Sequence, residues 1–282
     1  MYDLKGQVAV VTGAAGRHGI GRAIALRLAA EGAALVVNDV PRDAGTFRPA
    51  DREIGWDGIT SVADEIKALG GEALAVEADV SLAGPAEDLM GAALRRFGRL
   101  DILVNNAAAP PGGDRRPLLE VAEEAFDAVM RVNVRGTFLC ARAAGRHMVE
   151  RGGGGRILSL SSCLGKRGRA HYAAYSASKF AIIGLTQSLA LELAPYGITV
   201  NALCPGPVDT ERFDRVADLA APPGTDPSAF REALLRDRAR EIPLGRVGLP
   251  ADVAGVAAFL ASAEASYLTG LAVDVTGGFE LP

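Results

Sequence analysis

From Gln7 onward, short β-branched runs alternate with longer segments of helical period, and this alternation constrains the chain more than any other feature. Runs at Val8–Val11, Ala34–Asn38, Ala73–Glu77, Ile102–Asn105, Arg156–Leu160, Thr199–Leu203 and Leu271–Val275 read as strands. Helical periodicity fills the intervals at Ile20–Ala30, Ile59–Leu69, Ala83–Phe97, a longer pair from Leu118 to Glu150, Ala173–Leu193 and Ala251–Ala261. Parallel strands need crossover helices, so the expected fold is α/β: one doubly wound parallel sheet of seven strands with helices on both faces. Two stretches break the rhythm. Residues 41–58 are polar and turn-rich and read as a long loop after the second strand. Residues 209–248 interrupt the last crossover with charged, helix-forming sequence and a Pro-Pro-Gly at 222–224. Neither has the apolar periodicity for a core of its own, so residues 1–282 are expected to form a single domain with 209–248 as a lid.

Composition agrees with a buried sheet. Hydrophobic residues are 49% and aromatics only 5%, which leaves Ala, Val, Leu and Ile to build the core, as between a parallel sheet and its helices. A formal charge of −4 offers no basic face to nucleic acid or to an anionic membrane, so neither is an expected partner. Cys140, Cys163 and Cys204 are far apart, odd in number and in no metal-ligand spacing; they are expected to be core thiols in a reducing compartment, with no metal site. The Met1–Gly6 segment lacks the basic and apolar regions of a secretory signal, and the expected location is cytoplasmic.

The first strand runs into Thr12-Gly13-Ala14-Ala15-Gly16-Arg17-His18-Gly19-Ile20-Gly21, which opens a helix. Glycines there let the backbone approach a pyrophosphate at the positive helix end, so Gly13, Arg17, Gly19 and Ile20 are candidate cofactor contacts. Asp39 ends the second strand about 20 residues after Gly19, where a carboxylate can accept from ribose hydroxyls. Asp39 favours NAD, because a 2′-phosphate would meet like charge; NADP stays open, since Arg17 and Arg42 offer a competing cationic site.

Tyr175 and Lys179 are four residues apart and share one helix face. A phenol with an ordinary pKa of about 10 is a poor base at neutral pH unless nearby positive charge favours its phenolate, which Lys179 and an oxidised nicotinamide would supply. Ser161-Ser162 ends the fifth strand, where a hydroxyl can hydrogen-bond a substrate oxygen as charge develops on it.

The glycine turn, Asn105-Asn106-Ala107-Ala108, Ser162, Tyr175-x-x-x-Lys179 and Pro205-Gly206-Pro207-Val208-Asp209-Thr210 occur in the order of the classical short-chain dehydrogenase/reductases, and the chain resembles that family over nearly its whole length. The resemblance implies a seven-stranded Rossmann sheet, commonly in a homotetramer, and an NAD- or NADP-dependent oxidoreductase acting on a secondary alcohol or ketone. It implies Tyr175 as general acid/base, Lys179 as the group that lowers its pKa and binds the nicotinamide ribose, and Ser162, thirteen residues before Tyr175, as the residue that polarises the carbonyl. Asn133 resembles the family's helix-kinking residue in a proton relay. Asp79 and Val80 resemble the adenine-contacting pair, Asn106 and Ala107 the stretch lining the cofactor, and Pro205, Gly206, Val208 and Thr210 the motif at the carboxamide and pyrophosphate. Two departures stand out: a glycine turn two residues longer than the family's usual one, which also fits the extended branch of epimerases and dehydratases, and Ala108 where Gly is common. An extended-type epimerase or dehydratase and a non-catalytic dinucleotide-binding redox sensor are the alternatives. Cys163, Arg167, Arg169, His171 and Tyr172 are expected to border the substrate pocket, without deciding which substrate it takes.

Overall fold

The computed structural model describes residues 2–42, 47–222 and 224–279; residues 43–46 of the long loop and Pro223 of the Pro-Pro-Gly lie outside the described residues. Seven strands, β1 (Val8–Thr12), β2 (Ala34–Asp39), β3 (Ala73–Glu77), β4 (Ile102–Asn105), β5 (Gly155–Leu160), β6 (Ile198–Pro205) and β7 (Ala272–Val275), form one sheet in the order β3-β2-β1-β4-β5-β6-β7. Every pairing is parallel. The order reverses between β1 and β4, and that reversal opens a crevice beyond the carboxyl ends of the central strands.

Helices cover both faces because successive strand residues point to opposite sides. Val11 and Leu35 pack with Ile24 and Leu28 of α1 (Ile20–Ala30), Ile66 of α3 (Ile59–Ala68) and Val253 and Leu260 of α10 (Pro250–Ala261). The neighbouring Val10, with Leu103 and Ile157, packs on the other side against Leu89 of α4 (Ala83–Phe97), Leu139 and Met148 of α6 (Thr137–Arg151) and Ala190 of α7 (Ala173–Leu193). Burial pushes the Cys140 thiol up to about 12 and the Cys204 thiol up to about 11, and raises that of Cys163, so all three are poor nucleophiles. Among the described residues no helix is long and apolar enough to cross a membrane.

The structure refines the sequence reading in three places. Residues 41–58 are not all loop: a five-residue helix, α2 (Pro49–Glu53), forms within them. The expected pair from Leu118 to Glu150 resolves into a 3-10 turn at Leu118–Glu120, α5 (Glu123–Met130), a π turn at Arg131–Gly136 and α6. A π turn inserts a residue without altering composition, so short-range periodicity does not register it. Residues 209–248 carry α8 (Glu211–Ala220) and α9 (Pro227–Glu241). This segment leaves and returns at one place: Val208 bridges Gly248, Asp209 N–H donates to the Gly248 carbonyl (2.9 Å), and Gly248 N–H donates to Pro207 (3.0 Å).

Candidate active site

The carboxyl ends of β1 and β4 are knitted together around the glycine turn. Thr12 Oγ1 accepts from the N–H groups of Asn106 (3.0 Å) and Ala107 (3.1 Å), while Asn106 Nδ2 donates to the carbonyls of Thr12 (2.9 Å) and Gly13 (2.7 Å). Glycine is obligatory at Gly13: φ is +66°, and a Cβ there would lie 2.6 Å from the Ala107 Cα. The extra length of the turn is taken up locally. Gly19 N–H closes on the Gly16 carbonyl at 3.0 Å, so Arg17 and His18 form a projecting corner and α1 still starts at Ile20. Gly19 provides no side-chain cap and the first turn of α1 holds no acidic residue. Its N–H groups, beside the Cβ-free positions Gly13, Gly16 and Gly19, suit a dinucleotide pyrophosphate.

Asp39, at the end of β2, accepts from Ala15 N–H at 2.9 Å and from Val40 N–H at 2.9 Å. Arg42 lies 3.3 Å from the same carboxylate. Arg17, expected to face the cofactor, forms an ion pair with Asp51 of α2 at 3.1 Å. Asp79 accepts from Ser81 N–H (2.9 Å), and Val80 is buried 3.3 Å from where a Cβ on Gly136 would stand. Pro205 ends β6; Gly206 N–H donates to Val275 (3.1 Å), Val208 is buried, and Thr210 caps α8 by accepting from Phe213 N–H.

The four expected catalytic residues converge where β5 ends against α7. Ser161 and Ser162 separate cleanly: Ser161 Oγ donates to the Lys179 carbonyl at 2.8 Å and ties β5 to α7, whereas Ser162 Oγ accepts from Leu164 N–H at 3.2 Å and donates only weakly, to the Cys163 sulfur at 3.9 Å. Lys179 is 3% exposed; its Nζ donates to the Leu160 carbonyl at 2.5 Å and lies 5.6 Å from the centroid of the Tyr175 ring. Burial, reinforced by the charges of Arg212 and Arg115, pushes the Lys179 ammonium down to about 7. Asn133 is fully buried in the π turn. Its Oδ1 accepts from Ala109 N–H (2.8 Å), and its Nδ2 donates to Ser178 Oγ (2.9 Å), which donates to the Tyr175 carbonyl (2.7 Å). The π turn thus joins the loop after β4 to the first turns of α7. His171, just before α7, holds φ at +66°, a costly conformation for a residue with a Cβ.

Four residues at the site carried no motif. Trp56 Nε1 donates to the Ala15 carbonyl at 3.0 Å, and its ring, 8% exposed, sits under the Arg22 guanidinium at 5.6 Å. It braces the lengthened turn from the side of α2. Its only sequence signal is that it is the single Trp of the chain, in an otherwise polar stretch. Glu211, on the first turn of α8, accepts from His18 N–H at 2.6 Å. Arg212 donates to the Ala109 carbonyl at 2.9 Å and lies 5.1 Å from the Tyr175 ring centroid, and Arg115 lies 4.4 Å from it. No local pattern marks these three, because each acts across the fold. Truncating Trp56 to Ala is expected to cost about 3 kcal/mol in urea unfolding and to weaken dinucleotide binding, whereas Trp56→Phe keeps most of the stability; equal stability of Trp56→Ala and wild type would remove the bracing role.

A family model described as enoyl-(acyl carrier protein) reductase matches residues 13–280. The chain is 40% identical to a short-chain dehydrogenase/reductase of Armillaria gallica, over 97% of this chain and 96% of the relative. It is 37% identical to the galactitol 2-dehydrogenase of Agrobacterium fabrum, over 98% of each. Among solved structures, a double mutant of a Serratia marcescens short-chain dehydrogenase/reductase is similar with a TM-score of 0.80 at 34% identity, covering 99% of this chain and 100% of that one.

Proposed function

Since the chain belongs to the short-chain dehydrogenase/reductase family, whose members are oxidoreductases using NAD(H) or NADP(H), we propose that it is an NAD-dependent dehydrogenase that transfers hydride reversibly between the nicotinamide and a secondary alcohol or ketone. The observation that carries this reading is the convergence of Ser162, Tyr175 and a buried Lys179 where β5 ends against α7, with the Lys179 Nζ 5.6 Å from the Tyr175 ring centroid. Similarity to the Agrobacterium galactitol 2-dehydrogenase supports a hydroxylated substrate.

The bound nicotinamide supplies the acceptor for the hydride that leaves the carbinol carbon. Tyr175 takes the hydroxyl proton in oxidation and returns it in reduction. Ser162 Oγ, free of a strong internal acceptor, donates to the substrate oxygen and stabilises the charge that builds there. Lys179 orients the nicotinamide ribose, and Asn133 holds the start of α7 and the β4 loop in register for the proton path. The uncapped N-terminus of α1 with Gly13, Gly19 and Ile20 receives the pyrophosphate; Asp79, Val80, Asn106, Ala107, Pro205, Gly206, Val208 and Thr210 line the remainder. We read residues 1–282 as one domain, with α8 and α9 as a lid whose closed base at Val208 and Gly248 favours movement as a unit. Cytoplasmic location and a homotetramer complete the reading by analogy with the family.

Two observations weigh against other reactions. The extra residues of the glycine turn form a self-closed corner, which leaves the classical arrangement intact and does not favour an epimerase or dehydratase. A serine at the end of β5, where the family places the hydroxyl that polarises a carbonyl, fits carbonyl rather than double-bond reduction. The test is reduced-nicotinamide absorbance with purified protein, either dinucleotide, and a panel of polyols, cyclic alcohols, steroids and hydroxy acids. Turnover of an alcohol or ketone is expected; dinucleotide binding without turnover across the panel would support the redox sensor instead.

Asp39 sets the choice of dinucleotide in this reading. Asp39→Ser removes the like charge and releases Arg42 from its pairing, so the ratio of kcat/KM for NADP over NAD is expected to rise on the order of 100-fold. An unchanged ratio would remove Asp39 from cofactor selection.

A further inference from the structure

Arg115 lies in the loop after β4, and its side chain is only 9% exposed. Its guanidinium centre is 4.0 Å from the ring centroid of Tyr172 and 4.4 Å from that of Tyr175. Both Nε and Nη1 are buried without a hydrogen-bond partner. Asp114 Oδ2 lies 3.2 Å from Nε as an ion pair, but the contact lacks the direction of a hydrogen bond, and Asp114 Oδ1 is already taken by Gly112 N–H at 3.0 Å. Arg212 reaches the same ring from α8 and has no carboxylate partner among the described residues. Three basic side chains, Arg115, Arg212 and Lys179, therefore surround Tyr175 against one buried carboxylate.

A buried guanidinium with unmet donors is costly, and the cost is recovered when an anion enters. Desolvation already lowers the Arg115 pKa, with the charge of Arg212 adding to it, and both arginines lower that of Lys179, so the local excess of positive charge is felt by both groups. A charge-assisted hydrogen bond from a guanidinium N–H to a carboxylate oxygen is shorter and roughly twice as strong as a neutral one.

We propose that Arg115 and Arg212 form an anion subsite beside Tyr175, and that the substrate is a hydroxy acid or its keto acid, held by its carboxylate there while the carbinol lies against Ser162 and Tyr175. The assignment rests on the dehydrogenase reading for its reaction, but the anion subsite stands on the geometry alone. Arg115 is then a specificity-determining residue, and Arg212 carries its half of the subsite on the lid, so that closure of α8 and α9 completes the binding of the acid.

The test pairs turnover with binding. In the full-length protein with NAD, hydroxy acids are compared with their methyl esters and with phosphorylated polyols. The ratio of kcat/KM for acid over ester is expected to be high in the wild type, to fall on the order of 100-fold in Arg115→Gln, mainly through KM, and to recover in part in Arg115→Lys. A loss that is equal for acid and ester is a folding or packing role and overturns the proposal; preference for the phosphorylated polyols overturns the carboxylate. Separately, glutarate, glutaramide and inorganic phosphate are titrated by calorimetry. Saturable binding of glutarate but not glutaramide, lost in Arg115→Gln, is expected, and indistinguishable titrations would overturn the subsite whether or not any alcohol turns over. Glutarate binding with no turnover of any alcohol or ketone would keep the subsite and remove the dehydrogenase reading.

Discussion

Replacing Tyr175 with Phe is expected to lower kcat by about 10³-fold while dinucleotide binding persists. The substitution is unusually clean here. The Tyr175 ring is held by Tyr172 at 6.3 Å between centroids, by Arg115 at 4.4 Å and by Arg212 at 5.1 Å, and a Phe ring keeps all three contacts. Only the hydroxyl is lost, and with it the group that carries the proton between substrate oxygen and solvent. The check is steady-state turnover alongside dinucleotide titration followed by Trp56 fluorescence, which reports on the glycine turn through its bond to Ala15. A decrease below tenfold would mean that another group moves the proton.

Replacing Lys179 with Met is expected to remove most activity and to stabilise the fold at low pH. Burial, with Arg212 and Arg115 adding to it, pushes the Lys179 ammonium down to about 7, whereas in the unfolded chain a lysine titrates near 10.4. Between those values the unfolded chain binds a proton that the folded chain releases, so stability rises with pH from about 7 to about 10. Below that window both states are protonated and the full cost of burying the charge remains. Met fills similar space without charge, so unfolding at pH about 6.5 should show a gain on the order of 2 kcal/mol, reduced by the donor lost to the Leu160 carbonyl and vanishing as pH approaches 10. Loss of turnover on the order of 100-fold is expected in the same variant. A Met variant less stable than wild type at pH about 6.5 would show that the bond to Leu160 outweighs the cost of the charge.

Motifs that act through their own backbone neighbourhood were the most legible in the sequence. Gly13 and Gly19 announced the turn because a strand must pass into a helix there with no Cβ in the way. Tyr175 and Lys179 were visible as a pair because helical spacing puts them on one face. The choice between Ser161 and Ser162 rested on resemblance; the structure adds a physical reason, since Ser161 spends its hydroxyl on the Lys179 carbonyl. Arg17 sits in the glycine turn where a cofactor contact is expected, and it pairs with Asp51, 34 residues away in a stretch whose composition is that of a loop.

The periodicity of β-branched and helical segments by itself determined the seven strands, their parallel arrangement and the helices on both faces, because strand and helix periods are local and a crossover leaves few topologies. Tertiary structure alone decided how the lengthened glycine turn is accommodated, where Trp56 braces it, how the π turn carries Asn133 to Ser178, and that Arg115 and Arg212 both reach the Tyr175 ring. Those contacts join residues tens of positions apart through burial and electrostatics, which depend on distance in space and leave no period along the chain.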